Sequence, residues 1–196
     1  MEIILHRRNN LNELLEVPTE YGVEIDIRSY KNDLILSHDP FKKGEFFSDW
    51  IVNYNHGTLI INVKEEGLEE RVFEILDKKE IDDFFFLDQS FPFMLKYSDF
   101  LKGRSAVRIS EYESIETAKN LIGKVDWIWL DCFSKFPLGA DNLLSLKESD
   151  FKLCIVSPEL QGRDNIEHIK TFIAQIRELN IEFDAVCTKF PDLWKK

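Results

Sequence analysis

The chain has 196 residues, 44% apolar and 31% charged, a make-up that fits one globular core and excludes collagen-like, disordered and disulfide-scaffold classes. Its 25 basic and 36 acidic side chains leave a formal charge of -11, a field that repels nucleic acid and anionic lipid headgroups. No apolar run approaches the roughly 20 residues of a membrane span, and the three cysteines, Cys132, Cys154 and Cys187, stand singly in apolar stretches.

These features lead to the expectation of one domain over residues 1–196, with reduced core thiols, no nucleic-acid partner and no stable membrane insertion. The opening MEIILHRRNN has no apolar stretch followed by a small-residue cleavage site, so the expected location is the cytoplasm.

In chain order, an apolar run at 2–6 reads as a strand and is followed by the helical pattern LNELLEV. A second strand at 22–28 leads through a long connection, His38 to Gly57, into a third at 58–64 and the helix pattern GLEERVFEILDKK. A fourth strand at 83–88 precedes FPFMLKYSDFLKG, and a fifth at 105–110 precedes SIETAKNLIG. The sixth, at 125–131, precedes DNLLSLK, the seventh, at 151–157, precedes DNIEHIKTFIAQIRELN, and an eighth closes the series at 184–188. Strands alternating with helices call for a parallel sheet, because parallel neighbours need crossover connections. Eight such units predict an α/β fold, a compact (β/α)8 TIM barrel, shorter than the roughly 250 residues usual for it. An open doubly wound sheet is the rival, weakened by the absence of any Gly-rich phosphate loop.

In GVEIDIRS the period-2 alternation puts Val23, Ile25 and Ile27 on one face and Glu24, Asp26 and Arg28 on the other. If the apolar set meets the helices, the charged set points into the barrel. The same parity groups Ile60, Asn62 and Lys64, then Ala106, Arg108 and Ser110, then Trp127, Trp129 and Asp131. Active sites of this fold sit at the C-terminal mouth, where His6, Glu24, Asp26, Asn62, Lys64, Asp88, Arg108 and Asp131 would converge. A structural ion-pair network among Glu24, Asp26, Arg28, Lys64 and Arg108 is the alternative.

Two carboxylates two residues apart on a strand face can both reach a hard divalent cation, Mg2+ or Ca2+. His6, at the end of the first strand, and His38, in LSHD, are placed to act as general base and general acid. Asp88, Arg108 and Asp131 are candidates for contacts to substrate hydroxyls or phosphate. Glu159, in SPELQGR, lies where a specificity loop would follow the seventh strand, and Trp127 and Trp129 would flank the mouth for stacking on a sugar or polyol ring.

The motifs LHRR, GVEIDIRSYKNDLILSHD, INVK and DAVCTKFP together resemble the glycerophosphodiester phosphodiesterase family, within the wider group of barrel phosphodiesterases that includes phosphatidylinositol-specific phospholipase C. The resemblance implies that His6 and His38 form the acid/base pair, that Arg7 and Lys64 neutralise the phosphate, and that Glu24 and Asp26, with Asn62, hold a divalent cation. The implied activity is hydrolysis of a glycerophosphodiester or a related small polyol or sugar phosphodiester, with a cyclic phosphate as a potential intermediate. Arg8 stands where the family pattern has Gly, Asn62 where it has Glu, and Lys189 where it has Asp, and the segment between His38 and the third strand is too short for the family's small insertion. The loss of a carboxylate at Asn62 motivates a second expectation, a noncatalytic phosphate or sugar-phosphate binding module on the same barrel.

Overall fold

The computed structural model describes residues 1–195. The elements run β1 (Glu2–Leu5), α1 (Leu11–Leu15), β2 (Gly22–Tyr30), β3 (Asp33–Leu36), β4 (Glu45–Phe46), α2 (Phe47–Trp50), β5 (Leu59–Val63), α3 (Glu69–Lys78) and β6 (Phe84–Leu87). They continue α4 (Phe91–Leu101), β7 (Gly103–Ile109), α5 (Ile115–Lys119), β8 (Val125–Leu130), α6 (Ala140–Glu148), β9 (Lys152–Val156), α7 (Ile166–Glu178), β10 (Ala185–Thr188) and α8 (Pro191–Trp194). β1, β2 and β5 to β10 pair in parallel, and β1 returns to β2. The expected strands therefore close into the (β/α)8 barrel, with slightly shifted ends.

The connection from His38 to Gly57 departs from a plain crossover helix. β2 outruns the barrel rim, β3 folds back antiparallel to it and β4 antiparallel to β3; one helical turn, α2, and a 3-10 turn at Ile51–Asn53 follow. Strands as short as DLIL and EF carry too few residues for an alternation to declare itself.

The alternation sorts the core into two layers. Val23, Ile25 and Ile27 join Leu59, Ile61 and Val63 against helix residues such as Leu14, Val72, Leu76 and Ile169. The opposite faces supply Ile4, Ile60, Phe85, Ala106, Trp127, Trp129, Cys154 and Cys187, which fill the barrel as packed side chains. All three cysteines are free and buried. Phe85 stacks on Trp127 with centroids 4.5 Å apart, and the ammonium of Lys152, the first residue of β9, lies over Trp127. Trp127 therefore belongs to the N-terminal end of the barrel, not to the mouth as expected, because its position early in β8 sets its height.

Two joints in the ring are thin. β1 meets β2 through Ile4↔Gly22 and Leu5↔Val23, and a Cβ on Gly22 would stand 2.5 Å from the Thr58 carbonyl oxygen and 2.9 Å from Ile4 Cγ1, so this approach requires glycine. β6 meets β7 through the single register pair Phe86↔Ser105. Side chains bridge that second joint: Ser105 Oγ donates to Gln89 Oε1 (2.7 Å) and Gln89 Nε2 to the buried Glu69 Oε1 (3.1 Å).

At the rim, Glu111 ties the loop after β7 to the loop after β8 by accepting the amides of Phe133 (3.1 Å), Ser134 (2.6 Å) and Lys135 (2.8 Å). Partial burial works to raise its carboxyl, but the donors from Lys135 and Ser134 outweigh it and hold Glu111 at about 2.

Two outcomes follow from this packing. Phe85→Ala empties a fully enclosed interior site and should lower unfolding free energy by about 3–5 kcal/mol in chemical denaturation, whereas Phe41→Ala, at a side chain 106% exposed, should change it by less than about 0.5 kcal/mol. Because the folded value for Glu111 lies below its ordinary 4.5, the clamp's contribution is present above that pH and is lost as pH falls toward 2. Amide exchange at Ser134 and Lys135 should therefore lose protection over that window in the native chain, and at neutral pH in Glu111→Gln. Equal protection in both would contradict the clamp.

Candidate active site

Glu24 and Asp26 lie on the inward face of β2, each 1% exposed. Asp26 is in register with Asn62 on β5, and Lys64 follows the end of that strand. The chain leaving β1 turns over them: Arg7 adopts φ +54°, its amide donates to Glu24 Oε2 (2.7 Å), and the Arg8 amide donates to the Glu24 carbonyl (2.8 Å). Asp26 Oδ2 faces Arg7 Nε at 3.2 Å, and its Oδ1 faces Lys64 Nζ at 3.2 Å. Asn9 clasps the same residue twice, donating from Nδ2 to Asp26 Oδ2 and accepting the Asp26 amide on Oδ1, both at 2.8 Å.

His6 comes to this pair with Nε2 at 3.7 Å from Glu24 Oε2, while its buried Nδ1 has no partner. Burial, then the charges of Arg7 and Lys189, push the imidazole down to about 3 against the opposing pull of Asp26, so His6 is neutral across the physiological range. Burial and the neighbouring Asp26 charge push Glu24 up to about 8, although the Arg7 amide and the Lys64 charge work against them.

His38 stands just beyond Ser37, whose amide donates to the Asp26 carbonyl (3.0 Å). Its Nδ1 lies 2.8 Å from Asp39 Oδ1; Asp39 is held at about 2 by hydrogen bonds from Lys42 and His38 and so orients the ring as a carboxylate. The His38 side chain is 43% exposed, and no hydrogen bond joins it to His6 among the described residues.

Whether these residues suit a divalent cation can be judged from their oxygens. Glu24 Oε1 and Asn62 Oδ1 are buried and accept no hydrogen bond, and Asp26 Oδ1 has only the Lys64 ammonium beside it. Three inward oxygens, two from crowded carboxylates, fit a hard cation. The third donor is a neutral amide: among the described residues, no three His, Cys, Asp or Glu side chains group to hold a metal.

The other half of the mouth centres on Arg108. Its guanidinium binds Asp131 Oδ2 at 2.6 Å and also Asp88, which lies 3.9 Å from Lys64; Asp88 thereby links the two halves. Asp131, fully buried, also accepts Gln161 Nε2 (2.7 Å) and the Cys132 amide (3.0 Å) on Oδ1. Its oxygens are committed to holding Arg108 and Gln161, in contrast to the expected substrate contact. Beside Arg108, where β6 and β7 part, opens a cleft of about 650 Å³ lined by Asp88, Gln89, Phe91, Tyr112, Glu113 and Thr117 among others.

Three further expectations shift with the geometry. Glu159 is buried: its Oε1 accepts Thr188 Oγ1 (2.6 Å) and the Lys189 amide (2.9 Å), and its Oε2 meets Ser157 Oγ. It holds the end of β10 instead of facing a substrate. Trp129, in register with Arg108, is 5% exposed and belongs to the packed interior beneath the mouth. Arg28 leaves the inward group because β2 outruns the rim there; it donates to the carbonyls of His38 and Lys64 and pairs with Glu65. The residues that sequence reasoning did not single out are Asn9, Gln161 and Gln89. Each acts through a hydrogen bond to a distant strand, so only the helix N-cap at Asn10 marks that neighbourhood in the sequence.

No family model matches the sequence, and no curated protein sequence matches it. Among solved structures, the chain is similar to a glycerophosphodiester phosphodiesterase from Agrobacterium tumefaciens, with a TM-score of 0.70, 11% identity and 99% of each chain covered. It is also similar to a glycerophosphoryl diester phosphodiesterase from Parabacteroides distasonis, with a TM-score of 0.63, 11% identity, and 96% of this chain and 82% of that chain covered. At these identities the likeness establishes a shared barrel fold that extends over nearly the whole chain.

Proposed function

We propose that the chain is a phosphoric diester hydrolase acting on a glycerophosphodiester or a related small polyol or sugar phosphodiester. The observation that carries this reading is the meeting of neutral His6 with Arg7 and Lys64 over the buried Glu24–Asp26 pair, on the barrel shared with phosphodiesterases. Arg7 and Lys64 donate to the nonbridging phosphate oxygens, whose negative charge grows in the transition state. His6 accepts the proton of the attacking hydroxyl, from water or from the substrate itself, and His38, oriented by Asp39, gives a proton to the departing alkoxide.

His6 is a weak base while the mouth is empty. A phosphate between Arg7 and Lys64 offsets two of the charges that hold it down, so substrate binding raises its basicity where a base is needed. The alcohol part of the substrate has room in the cleft beside Arg108. Glu24, Asp26 and Asn62 are the residues that would hold a divalent cation, Mg2+ or Ca2+. Such an ion supplies Lewis-acid polarisation of the phosphate and neutralises the crowded carboxylates.

His6→Ala and His38→Ala should each reduce kcat/KM on glycerophosphodiesters by about 10²–10⁴-fold, with the unfolding midpoint close to that of the native chain. Near-normal turnover in both variants would defeat the acid/base assignment.

Asn62 favours a second reading, a noncatalytic phosphate-binding module with a weakened cation site. Calorimetric titration with Mg2+ and Ca2+ separates the two. Asn62→Glu should tighten cation binding by about tenfold or more, because it adds a charge to the donor set, and Asp26→Ala should abolish it. Tighter cation binding in Asn62→Glu accompanied by newly gained turnover, in a native chain that binds phosphate without hydrolysing diesters, would establish the module.

A further inference from the structure

Among the described residues, Arg8 is a cation without a counter-charge. The residue is half-buried, its Nε is sealed from solvent and meets no acceptor, and among the described residues it forms no ion pair, whereas Arg7 and Lys64 both pair with Asp26. A partly buried guanidinium left unpaired is unfavourable unless an anion joins it. The whole chain carries 36 acidic side chains against 25 basic ones, so the missing partner does not reflect a shortage of carboxylates.

The position of Arg8 is set by the active site. Its amide is bound to the Glu24 carbonyl at 2.8 Å, and its charge reaches the inner wall at Cys187, where it opposes the upward push of burial and of Glu24 on the thiol.

Lys189, on the adjoining strand end, is a second cation without an ion pair among the described residues. β1 and β10 pair through Leu5↔Thr188, and the His6 amide donates to the Thr188 carbonyl (3.0 Å). The Lys189 ammonium is one of the charges felt by His6, yet among the described residues it has no carboxylate partner, and the side chain is exposed. Its backbone is held by the buried Glu159 through the Lys189 amide at 2.9 Å. This structural carboxylate therefore fixes where the exposed cation emerges.

We propose that Arg8 and Lys189 form a second anion subsite beside the Arg7–Lys64 position, and that the natural substrate carries a second phosphoryl group in addition to the diester. The proposal rests on the reading of Arg7 and Lys64 as holding the diester phosphate. A planar guanidinium suits bidentate capture of a phosphoryl group, and a flexible ammonium completes its neutralisation. A singly charged diester would use only the first pair and leave Arg8 unpaired.

The test is calorimetric titration of the whole chain with inorganic phosphate and with pyrophosphate, at fixed ionic strength and without added metal. Native protein should bind pyrophosphate about tenfold more tightly than phosphate. Arg8→Gln and Lys189→Gln should each reduce pyrophosphate affinity by about fivefold to tenfold while changing phosphate affinity by less than about threefold. Lys152→Gln removes the same charge at the opposite end of the barrel and should change neither.

No preference for pyrophosphate, a preference that survives both substitutions, or an equal loss in Lys152→Gln would overturn the subsite. Lys189 is exposed, so its variant decides the matter even if Arg8→Gln does not fold. Phosphate binding indifferent to Lys64→Ala would count against the active-site reading itself, whereas Lys64-dependent phosphate binding without a pyrophosphate preference would remove only the second subsite.

Discussion

Two carboxylates, Glu24 and Asp26, are buried side by side on one strand face, and the surrounding mouth is arranged around the difficulty this creates. Ions of like sign in a low-dielectric interior cost several kcal/mol each, as an order of magnitude, unless they find partners. Asp26 meets Arg7, Lys64 and Asn9, whereas Glu24 meets one backbone amide and the edge of His6. The imbalance explains why burial and the adjacent Asp26 charge push Glu24 up to about 8. It also explains why the turn after β1 is bent through a left-handed residue at Arg7, since that bend delivers both the amide to Glu24 and the guanidinium to Asp26.

The opposite half of the mouth is built on another plan. Arg108 has carboxylates on two sides, and Asp131 is itself fixed by Gln161 and a backbone amide. Such a saturated network keeps one geometry, since moving any member leaves another unpaired. The floor beneath it is equally set, with Trp129 in the same layer and Phe85 stacked on Trp127 below. A half beside His6 with an unevenly partnered carboxylate pair thus adjoins a fully paired half beside the cleft, with Asp88 touching both.

The inward set Glu24, Asp26, Asn62 and Lys64 was legible in the sequence because charges replace apolar residues at every second position of two strands, and a barrel interior has no other use for them. The strand count was legible because short apolar runs such as those at 2–6 and 83–88 recur between helical patterns. Heights along the barrel were harder to read: Trp127 and Trp129 share a parity with Asp131, yet parity fixes a face and not a level. Glu159 and Asp131 read as free acids because their partners, Thr188, Lys189, Gln161 and Arg108, come from other strands and loops. The β3–β4 hairpin escaped the reading because β4 has only two residues and no helical pattern separates β3 from β2.

The two thin joints divide the ring into an arc of three strands, β2, β5 and β6, and an arc of five, β7 to β10 and β1. His6 and Arg7 belong to the larger arc and Glu24, Asp26 and Lys64 to the smaller, while the cleft beside Arg108 straddles the other joint. The chemistry is thus laid along the barrel's lines of least backbone hydrogen bonding. Side chains take over there: Arg7 reaches Asp26 across one seam, and Ser105 with Gln89, and Phe85 stacked on Trp127, cross the other, so the groups of the mouth close the ring where the backbone pairs least.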